Sequence, residues 1–565
     1  MLEGSSISLR HLNNNILHLA AVIGGLAAAT LLLNFAVLAG NWRWDDSAIL
    51  LHLHQYSILD DFINPGIWQQ FSPANLTPWL IFSFEIDLIL FGVRPELFYL
   101  HQLVALAAVA VTLYFCLGLW ISRKFAVFGA FLFLLGTPSL LVVQQLMTRH
   151  YVEGLIFCLL SLICFVLFLR QSRPMLLLLS SLFYIAAITA KETYVPLLLL
   201  LPFLPESKLE LRLKALLPMV IIAGVYTLWR GYMLGAYTGG YVASSDYLSA
   251  SFIKDVMASF SSFPRLLFGR FWFAFVFIYI LLIGSYAVVC RSRLTTSVVA
   301  ALLTLIPLIP LVRYPGILVA DRYLFLLWLL LSFSVAFYSD RLVANFAEQQ
   351  RPALLRLAYL PVALLLLISL PYALQVRQAV ANSAKEFDVQ AEFIWQNDDR
   401  LAFIPSAALL PSFWFVTDLA EFKSRVSPGA TSPLPLVDEV YLGGKVSRLL
   451  QYERDCSCMR EVEGGIAERL SSFQDRLRPD APLFLRYEYQ QGYFSWEFGP
   501  YDSGTYHVVS DVIGVIPAPR SGRLRVTLQE NAPFYLRYTS PEDWLTYSEL
   551  QYIHHNSESS SWHRD

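Results

Sequence analysis

The segment Ile16–Ala39, ILHLAAVIGGLAAATLLLNFAVLA, runs through Gly40 into 41–50, NWRWDDSAIL, and this junction decides how the rest of the chain is read. The apolar run has 24 residues. At about 1.5 Å per residue, a helix of that length crosses a hydrocarbon core roughly 30 Å thick. It is too long for a removed signal peptide and lacks a small-residue cleavage site. Trp42 and Trp44 follow where a spanning helix meets water, a position that amphipathic indole rings favour. Adjacent acids at such a boundary seldom arise from packing alone, so Asp45 and Asp46 are candidate functional carboxylates; the plainer alternative is a solvated helix exit.

Of 565 residues, 56% are hydrophobic and only 15% charged, and the mean hydropathy is +0.52. The first two-thirds therefore cannot form a water-soluble core, and the fold class is a polytopic α-helical membrane protein. The formal charge of -2 comes with no basic stripe, which excludes a nucleic-acid partner. Further apolar spans lie near 98–121, 125–143, 152–169, 174–190, 194–204, 215–234, 271–290, 295–312, 323–338 and 357–374. With the first they predict about eleven transmembrane helices, the short 194–204 stretch also suiting a re-entrant hairpin.

Basic residues in the short loops, such as Arg123 and Lys124, Arg170 and Arg173, and Arg291 and Arg293, fall on alternate connections. They place that side, and the amino terminus, in the cytoplasm. The other side receives loop 40–97, the turn 144–151, the turn at Lys191, the segments 235–270 and 313–322, and everything after about residue 376. Two domains are expected: a transmembrane catalytic domain over 1–375 that includes loop 40–97, and an extracytoplasmic domain over 376–565.

In the second domain the apolar runs shorten to APLFLRYEY, YFSWEF, YHVVSDVIGVIP, LRVTL and FYLRYT between turn residues, the pattern of strands. The domain is expected to be α+β and β-rich from about 470, preceded by helices near FVTDLAEFKSRV and VDEVYLGGKVSRLLQYERD. The tail SESSSWHRD is expected to be disordered. Cys116, Cys158, Cys164 and Cys290 lie in apolar spans, where a thiol behaves as a small hydrophobe. Cys456 and Cys458, in ERDCSCMRE, either form a tight disulfide or give a weak zinc signal without a histidine partner.

Loop 40–97 is far longer than the roughly 12–15 residues above which a structureless connection is uncommon unless functional. It carries Asp45, Asp46, His52, His54, Asp60, Asp61, Glu85 and Asp87. The same membrane side receives Arg149 and His150 in QQLMTRHYVEG, Lys191 and Glu192 in AAITAKETYVPL, and Arg313, Asp321, Arg322 and Tyr323 in RYPGILVADRYLF. The bland alternatives are headgroup snorkelling for Arg149 and a turn-fixing ion pair for Lys191 with Glu192. Acids, arginines and a lysine at one face of an apolar chamber suit transfer of a sugar from a polyprenyl-phosphate carrier. The lipid stays in the bilayer, cations hold the leaving phosphate, and a carboxylate takes the proton of the acceptor hydroxyl.

The stretch NWRWDDSAILLHLHQYSILDD, followed by LTPWLIFSFEIDLILFGVRPELFYLHQLVALAAVAVTLYFCL, resembles the first-loop region of GT-C glycosyltransferases. It looks most like the protein O-mannosyltransferase-like group that includes the tetratricopeptide-bearing transmembrane mannosyltransferases. TRHYVEG, AKETYVPLLLL and ADRYLFL follow in the order of that group, and together the resemblance spans about residues 40–340. It implies an inverting transferase using a polyprenyl- or dolichyl-phosphate sugar. Asp45 or Asp46 is then the base candidate; Arg149, Lys191 and Arg322 are candidates for the donor phosphate, with His150, Glu192, Asp60, Asp61 and Tyr323 in support. No tetratricopeptide array follows residue 375, and TPSLLVVQQLMTRH lacks a His-Pro-rich pattern, so neither mannose as donor sugar nor protein as acceptor is inherited.

The expected partners are a polyprenyl-phosphate sugar donor, membrane lipid, and an extracytoplasmic glycan, lipid or protein acceptor. No cofactor is assigned by the sequence, and a divalent metal ion is the one candidate. The expected location is a bacterial inner membrane with a periplasmic C-terminal domain. A lipid-linked-sugar transporter or flippase would instead favour ionisable groups at the bilayer midplane and an inverted repeat. A non-catalytic membrane scaffold would need no convergence of these residues.

Overall fold

The computed structural model describes all residues except 1–8, 238–263, 266, 291–321, 351, 398–401, 405–410, 431–433, 436–437, 442–447, 463, 491–492, 511–513, 526–527, 529, 555–556 and 564–565. Among the described residues, 7 helical segments are long and apolar enough to cross a membrane: Ile16–Ala39, Pro95–Leu117, Leu146–Gln171, Leu209–Leu234, Gly269–Val288, Arg322–Glu348 and Tyr359–Gln396. Arg123–Leu134 and Thr137–Gln144, bent by 55° at the break between them, form either a broken span or a re-entrant loop. The chain is thus an integral membrane protein. Compared with the expected eleven, Pro174–Ala190 and Glu192–Phe203 are helical but short, and 295–312 lies outside the described residues.

By compactness the chain divides into two units. The first comprises Met1–Gly40, Phe91–Trp229 and Ala243–Ala381. Proline at the first turn starts Pro95–Leu117 and Pro174–Ala190, where its missing N–H goes unmissed. The helix Arg149–Gln171 ends at Ser172, which takes the left-handed conformation (φ 55°), and returns as Pro174–Ala190. Across this hairpin the buried Ser161 hydroxyl donates to the Ser180 carbonyl (2.8 Å) and the Ser180 hydroxyl to the Ser161 carbonyl (2.7 Å), polar contacts that join apolar helices in a lipid environment. At the 55° bend, a Cβ on Gly136 would lie 1.9 Å from Nε1 of Trp328. Only glycine lets the Trp328 indole reach the Phe133 carbonyl, at 2.8 Å.

The second unit comprises Asn41–Leu90, Arg230–Val242 and Asn382–Asp565, so that the first-loop segment belongs with the C-terminal region. Short helices Asp46–Gln55, Ile58–Ile63 and Pro65–Phe71 build the loop, and the helix Pro411–Val426, which contains FVTDLAEFKSRV, packs on Asp46–Gln55. Strands β1 (Ala402–Ile404), β2 (Leu434–Pro435), β3 (Leu449–Glu453) and β4 (Cys458–Glu461) form a sheet in the order β2-β1-β3-β4. Cys456 and Cys458 are disulfide-bonded in the β3–β4 turn.

The remaining strands are β5 (Leu483–Gln490), β6 (Tyr493–Gly499), β7 (Thr505–Ser510), β8 (Gly514–Ala518), β9 (Ser521–Arg525), β10 (Pro533–Thr539), β11 (Leu545–Tyr547), β12 (Gln551–Tyr552) and β13 (Ser557–His563). They form two sheets, β11-β10-β7-β8 with β12 on β10, and β13-β5-β6-β9. Alternate residues of β5, β6, β7 and β10, including Leu485, Tyr487, Phe498, Val508, Phe534 and Leu536, share one apolar core, which fits the sandwich pattern of alternating inward side chains.

Two expectations for this region are corrected. Among its described residues, the stretch VDEVYLGGKVSRLLQYERD contributes a 3-10 turn (Glu439–Tyr441) and strand β3 rather than a helix, because Leu449 and Leu450 are buried and the strand finds pairing partners in β1 and β4. The polar tail is strand β13 rather than disordered, because its backbone completes the ladder along β5 from Ser557 opposite Tyr489 to His563 opposite Leu483.

Candidate functional site

The second unit begins with the first-loop segment at Asn41. Arg43 is buried and clasps Asp388 through Nε and Nη2, each at 2.7 Å, and the Asn41 N–H donates to the same carboxylate at 2.9 Å. Trp44 takes a left-handed backbone (φ 48°), costly for a bulky residue, and its ring meets Phe387 at 5.1 Å. The helix Asp46–Gln55 begins immediately afterwards. Asp46 is completely buried and its Oδ2 accepts the Arg43 N–H at 2.9 Å. Asp45, at the helix N-terminus, is exposed.

The other first-loop acids have local work. Asp61 is buried and 2.6 Å from Nε2 of His52. Asp60 caps its own helix, accepting the Ser57 N–H while the Ser57 hydroxyl accepts from Leu59. Both carboxylates thus make hydrogen bonds within the loop itself. Asp418, on Pro411–Val426, was not foreseen. Burial, then Glu421, then the charge of Asp45 push its carboxyl up to about 7.

In the first unit, the arginine turn and the KE turn are joined by one small residue. A Cβ on Gly154 would lie 2.5 Å from Cε2 of Tyr194. Its absence lets the Tyr194 hydroxyl donate to the Tyr151 carbonyl at 2.6 Å. Lys191, the extended residue between Pro174–Ala190 and the turn Glu192–Tyr194, thereby rests its ammonium 4.9 Å over the Tyr151 ring. Tyr151 and Tyr323 rings are 6.3 Å apart, Arg322 lies 5.2 Å over the Tyr323 ring, and its Nη1 reaches Oε1 of Gln145 at 3.4 Å.

His150, buried against Tyr151 at 4.6 Å between ring centroids, lies within electrostatic reach of both Lys191 and Arg322. The Met147 carbonyl is also close, yet neither ring nitrogen of His150 makes a hydrogen bond of normal geometry among the described residues.

His150, Lys191, Glu192, Arg322 and Tyr323 are thus brought together. Arg149 is not open as expected: it is fully buried, its Nη2 donates to the Phe98 carbonyl at 3.1 Å, and its guanidinium lies 5.5 Å over the Phe98 ring. The Phe98 contacts hold Arg149 at the start of its helix. Arg313 and Asp321 lie outside the described residues. Sequence inspection also missed Gln145 and the pair His101–Glu153 (3.5 Å), although Glu153 stands one turn beyond His150 and shares its helix face. Among the described residues no group of three or more His, Cys, Asp or Glu side chains is placed to hold a metal ion.

These features define an integral membrane protein with a β-rich C-terminal region and, in its membrane unit, a polar cluster around the buried His150 and Lys191 with the half-buried Arg322. No family model and no curated protein matches the chain. Among solved structures it is similar to the Archaeoglobus fulgidus oligosaccharyltransferase in complex with Zn and sulfate, at 13% identity and a TM-score of 0.41, over 84% of this chain and 72% of that one. A likeness so slight defines neither the fold nor the activity.

Proposed function

We propose that the chain is an integral membrane glycosyltransferase. It moves a sugar, with inversion, from a polyprenyl-phosphate-linked donor to the hydroxyl of an extracytoplasmic glycan, lipid or protein. The observation that carries this reading is the cluster of Lys191, Arg322 and His150 inside an apolar helical unit. Two cations converging on one imidazole in an apolar unit make a site that attracts an anion, and a phosphate on a lipid chain brings that anion while its tail stays in the bilayer.

In the proposed step the bond between the anomeric carbon and the phosphate oxygen breaks, and its electron pair leaves with the phosphate. Lys191 and Arg322 stabilise the growing charge. The acceptor oxygen bonds to the anomeric carbon and its proton passes to a carboxylate. Asp45 is the better base, because its side chain is exposed whereas Asp46 is enclosed and committed to the Arg43 N–H. No step is routed through a metal ion. The same proposal places the amino terminus in the cytoplasm and the C-terminal region in the periplasm of a bacterial inner membrane, on the alternation of basic loops.

The test is consumption of a polyprenyl-phosphate sugar by purified protein in detergent, with a crude envelope fraction as acceptor. A transferase releases free carrier phosphate in an acceptor-dependent way. Movement of the lipid across a vesicle membrane without such release would identify a flippase and end this reading.

A further inference from the structure

The buried imidazole of His150 is the least explained polar group of the membrane unit. At 8% exposure it is enclosed, and its ring nitrogens make no hydrogen bond of normal geometry among the described residues. A polar group in that state is costly, because its lost hydration is not replaced. Sequence places it at the start of the helix Arg149–Gln171, and the Tyr151–Tyr194 contact brings Lys191 up beside it while Arg322 approaches from the segment at 322–324. Both cations rest on aromatic faces, Tyr151 and Tyr323, which fix their direction while leaving them charged. An imidazole within electrostatic reach of two cations is a poor place for a third cation and a good one for an oxyanion that accepts an N–H.

We propose that His150 binds the carrier phosphate directly, donating a hydrogen bond to a non-bridging oxygen, and gives the site a preference for the departing polyprenyl phosphate over the intact sugar donor. This rests on the transferase reading above. The donor is a phosphodiester with one negative charge, whereas the product is a monoester whose second ionisation lies near pH 6, so it carries about two charges at neutral pH. A hydrogen bond to the more highly charged oxygen is stronger. The His150 contact therefore strengthens along the reaction: no proton leaves the imidazole, the acceptor proton goes to Asp45, and the new phosphate charge is shared among Lys191, Arg322 and the imidazole N–H.

The experiment uses the full-length protein in detergent, with farnesyl phosphate as a competitive probe of the product site. His150→Phe fills the space without a donor, and His150→Gln keeps an N–H. Retention of a monodisperse gel-filtration profile shows that each variant folds. The expected result for His150→Phe is a turnover roughly tenfold or more below wild type, farnesyl phosphate inhibition weakened by about as much, and a donor KM within about threefold; this is the pattern of one lost hydrogen bond to a charged group. His150→Gln should recover part of both losses.

Wild-type turnover and wild-type inhibition in a folded His150→Phe would overturn this inference while leaving the transferase reading intact. If wild-type protein neither releases carrier phosphate nor binds farnesyl phosphate, the transferase reading fails and this inference with it. Should His150→Phe not fold, an unchanged inhibition constant in His150→Ala would overturn the inference equally well.

Discussion

Asp45 and Asp46 have different surroundings because a helix starts between them: the left-handed Trp44 throws Asp45 outward, and Asp46 folds back onto the Arg43 N–H. Substituting Asp46→Asn keeps an acceptor oxygen for that N–H, so it should insert normally and keep transfer activity near the wild-type level. Asp46→Ala removes the acceptor and should lower thermal stability by about 1–3 kcal/mol, read as a lower unfolding midpoint in detergent. The clasp of Arg43 on Asp388 yields a second prediction. Asp388→Ala leaves a buried guanidinium without its carboxylate, which costs on the order of 3 kcal/mol, and double replacement of both residues by apolar ones should recover part of that loss. The acids of the junction were legible in the sequence because they follow an apolar run. Their division of labour was not, since it depends on one backbone angle at Trp44 and on a partner more than three hundred residues away.

At the scale of elements, long apolar helices were legible because a spanning segment must satisfy its backbone internally and face lipid with apolar side chains. The seating of Trp328 over Gly136 at the 55° bend was not, because the two residues come from helices distant in sequence. Gly136→Ala should force the buried indole aside and cost about 1–3 kcal/mol of stability by overpacking, while Gly24→Ala, where a Cβ meets nothing within 4 Å, should be neutral; thermal unfolding in detergent compares the two. Strand β13 was missed because its side chains are polar and its pairing is a backbone matter.

The helix Pro411–Val426 was legible as an element but not as a neighbour of the first loop, so Asp418 escaped notice. Its carboxyl holds its proton up to about pH 7 in the folded protein, against an ordinary value of 3.8. The native state therefore binds more protons than the unfolded chain between these limits, and stability falls as pH rises through them. Asp418→Asn removes that slope: its unfolding midpoint should match wild type near pH 4 and exceed it increasingly towards pH 8. A constant offset at all pH values would show that Asp418 ionises normally.

For the molecule as a whole, the membrane class follows from composition alone, whereas the grouping of Asn41–Leu90 with Asn382–Asp565 required three dimensions. The cation cluster lay between these extremes. Its members are legible singly, but the burial of Arg149 on Phe98 depends on helix packing, and sequence does not show that the His150 ring nitrogens make no hydrogen bond of normal geometry among the described residues. Reporter fusions at Arg173 and Ser471 should report opposite sides of the membrane, with Arg173 cytoplasmic; two cytoplasmic signals would contradict the proposed topology.

The central claim is that carrier phosphate is held by the cation cluster while Asp45 performs the proton transfer, and a comparison of donor binding with carrier release in Asp45→Asn tests it most directly. The variant should bind the polyprenyl-phosphate sugar within about threefold of wild type and release free carrier at least about a hundredfold more slowly, as loss of a general base requires. Release of carrier phosphate at the wild-type rate by Asp45→Asn would contradict the account.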